Sequence, residues 1–355
     1  MEEFCLETKL YLSVDGGGTK LHTLLFDSEL RPVGSGVSGA INPNFVPMDL
    51  VEQHMLDSID QALGSAKGQT GVEIEDVWIS MPGPTDLYED LLRQRCHVGA
   101  FNRLSEGETA IYSAGLSTGM LVLCGTGATL FYVKDGRAAL YQGGWGSPFG
   151  DEGSGADIGC MAIKAALRSY DGWGPKTMLE PGLCDFFGCR TIRETMAAFW
   201  QKKDTRGTIA SVCRLVGECA KRGDHTARSI LTEAGRKAAE QAMAFMHREC
   251  LPIEGPVVLA GGAWKSGEIM LTSFVNTMAM RYPMAEIIPS AFDPVIGPVA
   301  KMAMGEGEGR LSEKAFARLR SLYPEYQAKW PVLPKAPCSP MPEGVGKLYE
   351  IVRER

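Results

Sequence analysis

One arrangement, met twice about a hundred residues apart, limits what this chain can fold into. Leu10 to Val14 is a short apolar run that reads as a buried strand, and it ends in Asp15-Gly16-Gly17-Gly18-Thr19-Lys20 before Leu21 to Phe26 resumes as a second strand. Met120 to Cys124, then Gly125-Thr126-Gly127-Ala128-Thr129, then Leu130 to Lys134 repeat that order. Strand, glycine/threonine turn, strand, found twice, predicts two related α/β halves, each opening with a hairpin that presents backbone N–H groups toward a shared cleft. These are not Walker loops, because each turn leads to a strand rather than a helix and the G-x-x-x-x-G-K-[ST] spacing is absent. Even so, successive glycine amides and a threonine hydroxyl can cradle phosphate oxygens, and Asp15 can hold a hydrated magnesium ion. For either turn alone, a tight hairpin with no ligand is the competing reading.

A third stretch is richer in chemistry. Gly143-Gly144-Trp145-Gly146-Ser147-Pro148-Phe149-Gly150-Asp151-Glu152-Gly153-Ser154-Gly155-Ala156-Asp157-Ile158-Gly159 has too little aliphatic mass for a core strand or a buried helix. Glycine lets backbone approach a ligand closely, while Asp151 and Glu152 offer acceptors for sugar hydroxyls or metal-bound water. A flexible surface loop is the plainer alternative, but linkers rarely carry a central tryptophan and paired acids. A helix follows from Ser154 to about Tyr170, and its glycine-rich N-terminus could face an anion.

The remaining segments read as scaffold. Gly34-x-Gly36-x-x-Gly39 matches a dinucleotide fingerprint in form, but Pro43 and Pro47 forbid the helix that motif needs, so a strand end and a loop are expected there. An amphipathic helix should run from Pro47 to about Ala66, and Ile74 to Ser80 should be a buried strand. Ser105 with Glu108 three residues on forms a capping box that opens a helix and gives Glu108 a structural role. Glu106, in the same first turn, has no such role, and the helix dipole should lower its pKa. Helices expected at about 191–202, 208–221 and 225–250 look like covering layers. A strand at 256–260 ends in Gly261-Gly262-Ala263-Trp264-Lys265-Ser266, where a helix begins, an order suited to the base or ribose of a nucleotide. A strand at 285–289 and a helix at 294–304 complete the second half. Gly305-Glu306-Gly307-Glu308-Gly309 reads as a linker to an appendage with a helix at about 313–322 and a proline-rich 331–342.

Composition narrows the partner. With 355 residues the chain has length for about two domains, and a net charge of -7 argues against a nucleic-acid or anionic-membrane surface. No apolar run approaches the roughly 20 residues that cross a bilayer, and Met1-Glu2-Glu3-Phe4-Cys5 lacks the order of a secretory signal, so a cytoplasmic protein is expected. Ten scattered cysteines without C-x-x-C, and five unclustered histidines, suggest neither a disulfide framework nor a zinc site. A small-molecule partner is the expectation.

Together these residues resemble the N-acetylglucosamine kinase-like branch of the BadF/BadG-type ATPase family, within the actin, Hsp70 and sugar kinase superfamily. The resemblance runs from about Tyr11 to about Ala303. It is carried most specifically by Gly143-Gly144-Trp145-Gly146 and Gly150-Asp151-Glu152-Gly153-Ser154-Gly155, continued by Asp171-Gly172-Trp173-Gly174-Pro175-Lys176-Thr177. It implies an α/β protein of two ribonuclease-H-like domains, the actin-like ATPase fold, closing on an interdomain cleft. The domains would span 1–115 and 116–304, with a C-terminal extension at 305–355. Asp15, Gly17, Gly18 and Thr19 would contact Mg-ATP phosphates from one side, Gly125, Thr126 and Gly127 from the other, and Gly261, Gly262 and Ala263 would lie near the adenosine. Asn42, Trp145, Asp151 and Glu152 would hold an amino sugar such as N-acetylglucosamine or glucosamine, and the protein would be a homodimer. The family usually places an Asp as the base at the start of the helix before the second turn; that position here is Glu106, one methylene longer. Pro148-Phe149 also departs from the usual residues. Two other classes stay open: a dehydratase-activating ATPase, whose iron–sulfur cysteines follow the second turn whereas Cys124 precedes it, and a non-catalytic sugar or nucleotide sensor.

Overall fold

The computed structural model describes residues 9–44, 46–64, 72–147, 149–252, 254–305 and 307–332. Pro148, the expected helix end at Ala66, Met1 to Cys5 and most of the proline-rich 331–342 lie outside the described residues.

Two five-stranded sheets carry the chain. The first contains β1 (Leu10–Gly16), β2 (Leu21–Asp27), β3 (Pro32–Ser38), β4 (Glu73–Ser80) and β5 (His97–Arg103), in the order β3-β2-β1-β4-β5. Strands β1, β2 and β3 form an antiparallel meander, and β4 and β5 add in parallel to β1. The second contains β6 (Gly119–Cys124), β7 (Ala128–Lys134), β8 (Arg137–Gly143), β9 (Pro256–Ala260) and β10 (Glu286–Pro289), in the order β10-β9-β6-β7-β8 with the same directions. The repeat seen in the sequence is therefore a repeat of topology, which is the actin-like arrangement of two ribonuclease-H-like units.

Helices cover both faces of each sheet. Every residue of β2 is buried, as a strand between two packed layers should be. Its Leu21 and Leu25 join Val51, Met55 and Ile59 of α1 (Met48–Gly64) and Tyr88 and Leu92 of α2 (Thr85–Arg93). On the opposite face, Leu24 and Phe26 join Phe292, Val295 and Val299. In the second sheet, Leu121, Val133 and Val258 pack against Ala110 and Ile111 of α3 (Glu106–Ser113). The other face is covered by α4 (Gly155–Tyr170), α5 (Leu179–Phe187), α6 (Ile192–Trp200), α7 (Thr205–Ser211), α8 (Cys213–Lys221), α9 (His225–Arg248) and α10 (Glu268–Ala279). Each buried aliphatic side chain contributes about 1.5–3 kcal/mol relative to exposure.

The units interlock through α3 and α11 (Gly297–Met304). Helix α3 lies on the second sheet, while the segment running into α11 lies under the first, where Ser13 Oγ donates to the Val295 carbonyl at 2.6 Å. The helices meet where a Cβ on Gly297 would stand 2.5 Å from the Thr109 carbonyl oxygen, so the crossing requires glycine.

The stretch around Gly34 to Gly39 is a strand end and a loop, as expected, since β3 closes at Ser38; the glycine at 36 answers to α1, which packs so closely that a Cβ there would lie 1.9 Å from the Ser58 carbonyl oxygen. Other expectations change. The helix expected at 208–221 is two, α7 and α8, separated at Val212, whose N–H bonds the Ile209 carbonyl three residues back. The tail is not an appendage. Its helix α12 (Glu313–Leu322) places Leu319 in the core with Phe26 and Val295, followed by Tyr323 and Tyr326. Tyr323 Oη donates to the Leu30 carbonyl and Tyr326 Oη to Ser35 Oγ, tying the tail to the first sheet. Residues 326–328 then run along 291–293, with Asp293 N–H donating to Tyr326 O and Ala328 N–H to Ala291 O, both at 2.9 Å.

Candidate active site

The ends of β1, β6, β9 and β10 open into one cleft of about 920 Å³, near the upper end of the size range for small-ligand pockets. Its wall includes Asp15, Gly17, Gly18, Thr19, Asn42, Glu106, Gly125, Thr126, Gly127, Asp151, Gly261, Gly262 and Ala263. Residues up to 250 positions apart are thus brought to one surface.

The two turns are built alike. Gly17 N–H donates to Lys20 O and Gly125 N–H to Gly127 O, both at 2.8 Å, so the first glycine amide of each is spent on closing its hairpin. The amides of Gly17 and Gly125 thus already have backbone partners within their own hairpins. A Cβ at Gly18 or Gly262 would meet no protein atom within 4 Å, and one at Gly125 would meet only Gly127 O at 4.0 Å; none of the three has a left-handed backbone. Neither conformation nor packing demands glycine there, so the reason lies in the cleft, where a Cβ would fill the space a ligand needs. Gly261 differs, with φ of 104° and a Cβ position 2.2 Å from Cys124 O.

The stretch from 143 to 159 mainly buttresses the second turn. The amides of Gly155 and Ala156 donate to Gly125 O and Thr126 O at 2.8 and 3.2 Å, and Ser154 Oγ accepts from Asp157 N–H. The N-terminus of α4 therefore holds the turn rather than facing an anion, because its orphan amides already have partners. Asp157 accepts from Gly153 N–H and pairs with Lys237. Asp151, in a left-handed conformation with φ of 67° and 3% exposed, pairs with Arg206 Nη2 at 2.8 Å. Arg206, on α7, lines the cleft beside Gly127.

Two expected sugar contacts are not brought to the cleft wall. Trp145 is 79% exposed, and Glu152 accepts from Gln241 Nε2 of α9 at 2.8 Å. Asp171 to Thr177 likewise has a structural role: Asp224, which caps α9, accepts from Thr177 Oγ1 and Met178 N–H.

The carboxylates divide into compensated and uncompensated groups. Asp293 stands between Lys20 Nζ at 3.8 Å and Lys265 Nζ at 4.0 Å, and Asp151 has Arg206. Among the described residues Asp15 and Glu106 form no ion pair, although the charge of Lys20 partly offsets the rise at Asp15. Burial and the charge of Glu106 push the Asp15 carboxyl up to about 7. Burial also raises Glu106, against the lowering expected from the helix dipole, so desolvation outweighs the dipole at this helix start. The Ser105–Glu108 capping box forms as expected, and Glu108 also accepts from Ala138 N–H.

This donor set fits a magnesium ion. The raised Asp15 carboxyl would be relieved by a divalent cation, and magnesium is usually held by one or two carboxylates together with phosphate and water. No group of three or more His, Cys, Asp or Glu suited to a metal occurs among the described residues, so a magnesium ion there would need most of its shell from phosphate and water.

The far end of the cleft was not legible in the sequence. Helix α8 contributes Arg214, Gly217, Glu218 and Lys221, and the tail contributes Ala328 and Trp330. The glycine in the first turn of α7, Gly207, was the one available signal: a Cβ there would lie 2.0 Å from Asp204 Oδ2, the helix cap.

Residues 12–300 match the model of the BadF/BadG/BcrA/BcrD ATPase family. The chain is 30% identical over 302 residues to the N-acetylmuramic acid/N-acetylglucosamine kinase of Clostridium acetobutylicum, covering 82% of this chain and 97% of the relative. It is 26% identical over 315 residues to the N-acetyl-D-glucosamine kinase of Dictyostelium discoideum, with the same coverage. A crystal structure from Chromobacterium violaceum, a structural-genomics target, superposes with a TM-score of 0.61 at 22% identity, covering 83% of this chain and 99% of that one.

Proposed function

This chain belongs to the BadF/BadG/BcrA/BcrD ATPase family, and on that premise we propose that it is an ATP-dependent kinase acting on a hydroxyl of an amino sugar, N-acetylglucosamine or a close relative. The observation that carries this reading is the meeting of two carboxyl groups of raised pKa, Glu106 and Asp15, with two glycine turns in one cleft. Both named relatives act on N-acetylglucosamine.

In this reading Glu106 takes the proton from the attacking sugar hydroxyl, whose oxygen bonds to the γ-phosphorus as the bond to the bridging oxygen breaks and ADP leaves. A raised pKa suits a general base working near neutral pH. Asp15 would hold a magnesium ion, which when bound would supply positive charge against the phosphates. The amides of Gly18, Thr19, Thr126 and Gly127 bind and orient the phosphates from both walls. Asn42 and Asp151 are the sugar contacts the geometry favours, with Asp151 held in place by Arg206. Gly261, Gly262 and Ala263 border the adenosine.

The exposed aromatic residues Tyr141, Trp145 and Phe149 on and beyond the free edge strand β8 support a homodimer through that side. No helix among the described residues is long and apolar enough to cross a membrane, and use of ATP suits a cytoplasmic setting. Cys124 is buried in the second core, where burial raises its thiol pKa, so it does not favour a cluster-bearing activator.

The test is ADP release, measured by a coupled assay across N-acetylglucosamine, N-acetylmuramic acid, glucosamine, N-acetylmannosamine and glucose. Sugar-dependent release with an N-acetylated substrate is expected, and Glu106→Gln should lose at least about 100-fold in kcat while ATP and sugar still bind. ATP binding without release for any sugar would favour the sensor reading; undiminished turnover in the variant would place the base elsewhere.

A further inference from the structure

The family match ends at residue 300, yet the cleft wall does not. Residues 326–328 are bonded along 291–293, and Trp330 then turns its indole Nε1 to the Ser290 carbonyl at 2.7 Å. Ser290 directly follows β10, which runs parallel to β9, and β9 ends in the Gly261-Gly262 turn. Neighbouring strands lie about 4.8 Å apart, so the indole is anchored one strand away from that turn. In α/β sheets ligands gather outside the carboxyl ends of parallel strands.

Beyond the two phosphate turns the wall mixes charged residues of α8, Arg214, Glu218 and Lys221, with the small residues Gly217, Ala260, Ala263 and Ala328 and the indole of Trp330. Among the described residues, two aromatic side chains border the cleft, Phe292 and Trp330. Phe292 is fully buried and packs on Phe316 with ring centroids 5.6 Å apart, so its surface is used by the core. Trp330 also packs partly against the core of the second unit but stays half-buried, its one polar atom is satisfied by Ser290, and the surface it leaves open is apolar and aromatic.

We propose that Trp330, carried into the cleft by the C-terminal tail, is the stacking surface for the nucleotide's base. This deepens the kinase reading and rests on it. The indole N–H bond to Ser290 fixes the plane of the ring, and the purine lies against its face, while the triphosphate reaches toward the glycine turns. Base recognition by stacking tolerates any purine, so discrimination between adenine and guanine would come from other groups on the wall.

The experiment compares ATP and inorganic tripolyphosphate, both as magnesium complexes, by calorimetry on the full chain, for the wild type, Trp330→Ala and Trp330→Phe. Stacking on an aromatic side chain is sensitive to alanine substitution, so ATP affinity should fall about tenfold in the alanine variant and tripolyphosphate affinity should stay within about twofold. The KM for ATP should rise in parallel, with kcat and the KM for sugar nearly unchanged, and phenylalanine should restore most of the loss. Equal losses for ATP and tripolyphosphate, no loss for either, or a phenylalanine variant as impaired as alanine would overturn the proposal, the last by assigning the effect to the Ser290 anchor. Failure of the wild type itself to bind ATP would instead overturn the kinase reading beneath it.

Discussion

Replacing Gly18 by alanine should make the protein more stable and a poorer binder of ATP in the same step. The backbone at Gly18 is outside the left-handed region, and a methyl built there meets no protein atom within 4 Å. Folding therefore loses nothing, and restricting the unfolded chain should stabilise the fold by about 0.4–1 kcal/mol, worth about 0.5–1.3 °C in Tm. In the cleft the methyl stands beside the amides of Gly18 and Thr19. If it denies a phosphate oxygen one charge-assisted hydrogen bond of about 1.5–3 kcal/mol, the KM for ATP rises about 10- to 100-fold. Gly36→Ala is the control, because its Cβ would stand 1.9 Å from Ser58 O and the change must cost stability instead. Calorimetric melting and ATP titration of kinase rate read both effects. A Gly18→Ala variant that melts lower, or that keeps its KM, would refute the view that this glycine answers to a ligand and not to the fold.

Other outcomes follow from the same geometry. With Asp15 titrating at about 7 in the free protein, its carboxylate is mostly protonated at pH 6, so kcat/KM for Mg-ATP should fall about tenfold per unit below pH 7 and level off above it; a flat profile between pH 6 and 8 would contradict the assignment. Arg206→Ala strands the buried Asp151 charge and should destabilise the protein by about 3–5 kcal/mol in denaturant unfolding. Adding Asp151→Asn to that variant should recover much of the loss, and additive losses would show that the two side chains do not act as a pair.

The parts of this molecule that could be read from sequence are those whose reasons are local. Each glycine turn, the Ser105–Glu108 box and the strands beside them declare themselves within a few residues, and the repeat of the hairpins gave the two-sheet plan. Strand β8 escaped notice because it is a solvated edge with no alternation of apolar residues, and the reason for the glycine at 36 in β3, the closeness of α1, lies twenty residues away. Arg206 and Trp330 had no motif around them; each matters through a partner, Asp151 or Ser290, at least forty positions distant. Trp145 and Glu152 show the opposite error. Their company was informative, but adjacency along the chain said nothing about which side of the loop each would face.

The contact of Gly297 with Thr109 joins the helix that carries Glu106 to the segment lying under the first sheet. Glu106 begins the helix that bears on it, three residues and about 4.5 Å of rise away, so a swing of about 10° of one sheet against the other would shift that carboxylate by less than about 1 Å. Any motion of the two sheets about this contact would therefore displace the Glu106 carboxylate less than the more distant parts of either wall, because one missing side chain lets the helices meet so near to it.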